Sequence, residues 1–219
     1  MTPTKPALRG HFHQAMFFVM LGAGIPLIVN SEGFATRASV SVYVVCALLT
    51  FGISALYHRI TWSTDARAIW RKLDHAGIYL MIAGTFTPVA LLGLSAASAR
   101  NCLMTIWVVA LAGILQSVFF VNIPKIFSAL IYLVAGYLIV PYMGELQQTL
   151  GALNVALLIA GGVAYTLGAL CYGLKRPVLD PRYFGYHEVF HILVNAGAIL
   201  HFFVINDLVL SDATASVTR

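Results

Sequence analysis

The sequence predicts an all-α integral membrane protein, a seven-transmembrane helix bundle formed as one domain over residues 1–219. Three observations predict it. The chain is 60% hydrophobic and 10% charged, where soluble domains are about 45–50% apolar and about 25% charged. With a mean hydropathy of +0.86, it has more apolar surface than one soluble core of this size can bury. Seven apolar segments are each long enough to cross about 30 Å of hydrocarbon, and backbone in hydrocarbon must bond to itself, which favours helices. Finally, Lys and Arg concentrate in alternate loops.

The spans follow in order. The first is expected at 11–30, entered through Arg-Gly-His-Phe-His and closed by Asn30-Ser31-Glu32-Gly33. Its apolar run is too long for a signal peptide and no clear small-residue cleavage site follows, so it reads as a retained helix. The second, 39–58, ends in SALYH. The third, 75–94, opens on LDHAGIYLMIAGTFTP and contains Pro88, expected to kink it. The fourth and fifth, 102–121 and 126–143, are joined by NIPK, a link short enough to predict a tight antiparallel hairpin. In the sixth, 152–173, Gly161, Gly162, Gly168 and Gly173 with Ala160, Ala164 and Ala169 read as a close packing face. The polar stretch KRPVLDPR leads to the seventh, 187–206. Cys46, Cys102 and Cys171 fall inside apolar runs without a CxxC pattern and read as small core or lipid-facing residues.

Charge sets the expected orientation. Lys5 and Arg9 precede the first span; Arg59, Arg67, Arg71 and Lys72 follow the second; Lys125 follows the fourth; Lys175, Arg176 and Arg182 follow the sixth. Only Arg37, Arg100 and Arg219 fall on the other side. The positive-inside rule then places the N-terminus in the cytoplasm and the C-terminus outside. Basic cytoplasmic loops account for the net charge of +5 without a nucleic-acid partner.

Parity brings chemistry together. The end of the second span (Ser54, His58), the start of the third (Asp74, His75) and the start of the seventh (His187, His191) share the cytoplasmic side. His187 and His191 are four apart, so one helix face carries both. Imidazoles suit Zn²⁺, and three protein ligands leave a fourth position open, as in catalytic sites. Asp74 would hold water in that position and act as general base, with Ser54 donating a hydrogen bond. His75 points about 100° away from Asp74 and reads as interfacial. His201 is too deep for the same ion and reads as a core histidine. Glu188 reads equally as a partner for a loop Arg or as support for the site. His11 and His13 begin the first span, His13 as a substrate-side or structural residue rather than a ligand.

At these residues the chain resembles the hemolysin III family, the bacterial branch of the progestin and adipoQ receptor superfamily. The resemblance runs from RGHFH through SALYH, KLDHAGIYLMIAGTFTP and YGLKRP to FGYHEVFH. It implies seven helices in the bacterial inner membrane, similar to adiponectin receptors and more distantly to alkaline ceramidases. It also implies a zinc ion on His58, His187 and His191, with Asp74 holding the water and Ser54 as the nearby serine. One departure is ALRGHFH, which lacks the acid that longer members place before the first-span histidine. The expected function is zinc-dependent hydrolysis of a lipid amide or related acyl bond. The alternative is a membrane-homeostasis sensor that binds lipid or fatty acid around a structural zinc. A channel or cytolysin is opposed by spans almost free of charge away from their ends.

Overall fold

A computed structural model of the chain describes residues 6–120, 122–180 and 182–217. Lys5 and Arg219 of the charge count lie outside the described residues. The helices are α1 (His11–Val29), α2 (Phe34–Arg59), α3 (Thr64–Gly93), α4 (Ala96–Phe119), α5 (Lys125–Gly136), α6 (Met143–Leu174) and α7 (Tyr186–Val217), with a 3-10 segment, Tyr137–Tyr142, between α5 and α6. Six stretches are long and apolar enough to cross a membrane: His11–Val29, Phe34–Arg59, Thr64–Gly93, Ala96–Phe119, Ile126–Leu174 and Tyr186–Ala213. Large apolar side chains such as Phe34, Val108, Phe119 and Leu153 are exposed on the outside of the bundle. Together these features make a multi-pass membrane protein.

The two expected spans 126–143 and 152–173 fall within the single stretch Ile126–Leu174. It is broken at Gly151, whose φ of 73° lies outside helical space and in a region open to glycine. On either side of that break the chain runs antiparallel. A Cβ on Gly173 would press on Ile126, and the Tyr137 hydroxyl meets Thr166 Oγ1 at 2.8 Å.

Several expectations are corrected. α3 begins at Thr64, so Asp74 and His75 lie ten and eleven residues inside it rather than at its start. Ser63 starts it, its side chain accepting from the Ala66 N–H, and Asp65 complements the helix N-terminus. The charged turns before Asp74 extend the helix beyond the apolar span. The tight hairpin of the fourth and fifth spans is also absent. α4 packs on α3 and α5 on α6, and α4 and α5 barely touch. Tyr79 of α3 is the reason: fully buried, it lies against Gly113 of α4 and edge-on to Tyr132 of α5 at 5.0 Å. In the glycine face of α6, Gly161 seats His201 and Gly168 seats Phe190 and Leu193, but Gly162 meets nothing and Ala160 is exposed. Two glycines seven residues apart, two helical turns, rather than every small residue, make the contact with α7. Cys46, Cys102 and Cys171 are free thiols.

The core joins α1, α2, α3, α6 and α7 around Met16, Met20, Tyr43, Val44, Phe51, Leu146 and Ile205. α2 packs between α1 and α3, and α7 lies against α6, α1 and α3. The C-terminal end of α2 therefore meets the N-terminal ends of α7 and α1.

Candidate metal centre

His58 stands in the last turn of α2, where the unpaired carbonyls favour positive charge. His187 and His191 stand in the first two turns of α7, one above the other. All three side chains are buried, at 6%, 8% and 2% exposure. Among the described residues they offer one ligand atom each within 4.8 Å of one another. His58 Nε2 and His187 Nε2 are 3.1 Å apart. Tetrahedral bonds of about 2.0–2.1 Å would set two zinc-bound nitrogens about 3.3 Å apart, so the donor set fits a small divalent ion of that kind. The ring of Tyr172 lies 5.7 Å and that of Phe190 5.8 Å from His187, so one flank is apolar.

Asp74 reaches the same point from α3, its Oδ2 3.5 Å from His58 Nε2. Ser54 stands one turn before His58 on α2 and is buried. The three histidines converge and Asp74 stands beside His58, while Ser54 is placed on the same end of α2. His75, half-buried, is outside the group of converging ligand atoms. His201 Nε2 meets the Leu158 carbonyl at 3.1 Å, which makes it a core histidine with one nitrogen satisfied. His13 is buried and stacks face to face on His191, ring centroids 3.7 Å apart.

Glu188 resolves to the first of its two readings. Wholly buried, it pairs with Arg9 just before α1 and also accepts from the Gly185 N–H. The chain before α1 is bonded across the α6–α7 loop, Ala7 N–H to the Arg182 carbonyl at 2.9 Å and Leu8 N–H to that of Tyr183 at 3.2 Å. Gly10, at φ 83°, then presses on His58, where a Cβ would come within 2.7 Å of the His58 Cβ. Glycine is required at this point of the strap, because a Cβ would clash with His58 and the φ is positive. Arg9 and Asn195 are two residues that the sequence reasoning missed. Asn195 continues the i, i+4 face of His187 and His191, a spacing that would have found it. Arg9 carried no comparable signal.

A multi-pass helical bundle with three buried histidines and a partly exposed carboxylate at one end defines a membrane protein with a candidate metal centre. The chain belongs to the hemolysin III family, whose model, described as "Haemolysin-III related", matches residues 1–202. It is 32% identical to "Hemolysin-3" of Bacillus cereus over 193 residues, 87% of this chain and 85% of that protein. It is also 32% identical over 167 residues to "Hemolysin-3 homolog" of Bacillus subtilis (strain 168), 76% of this chain and 75% of that protein. A more distant relative is "Adiponectin receptor protein" of Drosophila melanogaster, 29% identical over 94% of this chain and 52% of that protein.

Proposed function

We propose that this chain is a zinc-dependent hydrolase of a lipid amide or related acyl bond, crossing the bacterial inner membrane seven times. The observation that carries the reading is the buried convergence of His58, His187 and His191 with Asp74 at 3.5 Å from His58. Three neutral nitrogen donors with a neighbouring carboxylate match the composition of open zinc sites. His58, His187 and His191 would hold Zn²⁺, which would supply Lewis acidity to water and substrate at this spot. Asp74 lies beside His58 Nε2 and would act as general base toward a water bound at this spot. Ser54 steadies Asp74 and supplies a hydroxyl for the oxyanion that develops on the substrate. Glu188 and the strap through Gly10 hold α1, α2 and α7 together while this happens.

The crossing count rests on Ile126–Leu174. As one helix its 49 residues would run about 74 Å, more than twice the hydrocarbon thickness, and the break at Gly151 divides it into two passes. The cytoplasmic N-terminus rests on the basic loops. A reporter near Arg67 should read as cytoplasmic and one after the C-terminus as extracytoplasmic; the reverse pattern overturns the orientation.

A second reading, a lipid- or fatty-acid-binding sensor with structural zinc, draws on the receptor named among the relatives. One experiment separates the two. Purified protein in lipid is assayed for fatty acid released from ceramides, phospholipids and acyl amides, with and without chelator. Chelator-sensitive release supports the hydrolase. No release from any substrate moves the assignment to the sensor.

A further inference from the structure

Two side chains beside the triad have buried polar atoms that no described residue satisfies. His13 is 4% exposed, yet neither of its ring nitrogens has a hydrogen-bond partner. It stacks on His191 with an interplanar angle of 5°, but it is not among the three residues whose ligand atoms converge. Asn195 lies one turn beyond His191 on the same face of α7. Its Nδ2 donates to the Phe12 carbonyl at 2.9 Å. A carbonyl only accepts, so this bond settles which end of the amide is nitrogen. The remaining atom, Oδ1, is buried without a partner. Phe12 adjoins His13, so all three orphan atoms belong to the seam between α1 and α7, next to the triad. Buried polar atoms are normally paired, and in hydrocarbon no solvent relieves the loss. A core histidine and asparagine would have been costly to leave this way unless something else completes them.

We infer that His13 and Asn195 form a polar subsite that binds, next to the triad, a lipid group able both to donate and to accept a hydrogen bond. Asn195 Oδ1 only accepts, so the occupant donates. An imidazole carries at least one N–H in either protonation state, so the occupant also accepts. A hydroxyl meets both demands, as does an amide with its N–H and carbonyl. An ester or ether meets only the second. The subsite would therefore select lipids by their polar group. The inference rests on reading this centre as a lipid site, but on neither its metal nor its hydrolysis.

The test uses the full chain, with its metal, in lipid nanodiscs. The probes are hexadecan-1-ol and its methyl ether, which have no hydrolysable bond and differ by the one donor. The alcohol should bind about tenfold more tightly, a difference of about 1.4 kcal/mol. His13→Phe and Asn195→Leu should each bring the ratio close to one, and His13→Gln, which keeps a donor and an acceptor, should restore most of it. Metal content should not change in any of the three. Equal binding of the two probes by the unaltered protein overturns the inference, and is the result expected if a trapped water fills the subsite. A preference that survives both substitutions overturns it too. The ratio in the unaltered protein needs no variant, so a substitution that fails to fold leaves the test standing. A protein that holds no metal but keeps the ratio refutes the zinc reading and leaves the subsite in place.

Discussion

At the end of the bundle where α2 stops and α7 starts, His58, His187 and His191 bring their ring nitrogens toward one point, and neighbouring His13 and Asn195 keep atoms without partners. At the opposite end, Thr36 donates to Asp212 and Asn154 to Asp207, both at 2.6 Å. There the polar groups find partners across a helix pair, Thr36 from α2 and Asn154 from α6 each reaching an aspartate of α7. That end even has an open cavity of about 270 Å³, lined in part by Asn154, Asp207 and Asp212. The difference separates two uses of polarity in a membrane helix. Pairs that satisfy themselves pin helices together. Groups that converge from α1, α2, α3 and α7 on one spot, with capacity left over, are arranged around something the chain itself does not supply.

The sharpest way to break this contrast is through the metal. The unaltered protein should carry about one zinc per chain by elemental analysis. His187→Ala/His191→Ala should reduce this to near zero, because one ring cannot hold the ion alone. Asp207→Ala/Asp212→Ala should leave it unchanged. Full occupancy in the histidine double variant would erase the distinction between the ends. The next effect is on stability. Glu188→Ala leaves the Arg9 guanidinium, 21% exposed, without its counter-charge and the Gly185 N–H without its acceptor. Breaking a buried pair from one side costs about 3–5 kcal/mol, readable in a denaturant titration in mixed micelles. A loss below about 1 kcal/mol would mean that the strap over the triad does not depend on this ion pair.

Asp74 tests whether the converging end does chemistry or only binds. Asp74→Asn keeps the shape of the side chain but cannot take a proton at neutral pH. Loss of a residue supporting a metal site costs about 10- to 100-fold in affinity or activity, whereas loss of a general base costs about 10² to 10⁴ in rate. Zinc should therefore stay bound while fatty-acid release slows by at least about 100-fold. Chelator-sensitive hydrolysis at an unchanged rate would remove Asp74 from the reaction.

Much of the converging end was legible in the sequence because parity is a strong constraint. Once spans alternate across a bilayer, SALYH and YHEVFH must reach the same side, whatever the packing between them. Side-chain period did the rest for His187 and His191. Depth was read less well. Asp74 was expected at a helix start because the charged stretch before it looks like loop, but TDARAIWRKL continues the helix outside the apolar layer under the Ser63 cap. The pairing of α4 and α5 was misjudged because a short link restrains only two ends, while Tyr79, far from it in sequence, decides how the helices pack. Arg9 with Glu188 joins residues 179 apart, and no local pattern announces such a contact.

The smallest effect belongs to the self-satisfied end. Asp207 is exposed, and its partner Asn154 is buried but has a second bond, Nδ2 to the Leu150 carbonyl at 3.1 Å. Removing the carboxylate leaves Asn154 with that bond, so no buried group is stranded. Asp207→Ala should then cost about 1 kcal/mol, the net worth of an ordinary hydrogen bond, with metal content and hydrolysis as in the unaltered protein. Asn154→Leu removes both bonds and exposes nothing charged to the interior, so it should cost no more than about twice that. The same denaturant titration measures both. If either substitution instead lowers metal content, the two ends are coupled through α6 and α7, and the separation drawn between a pinning end and a reacting end fails.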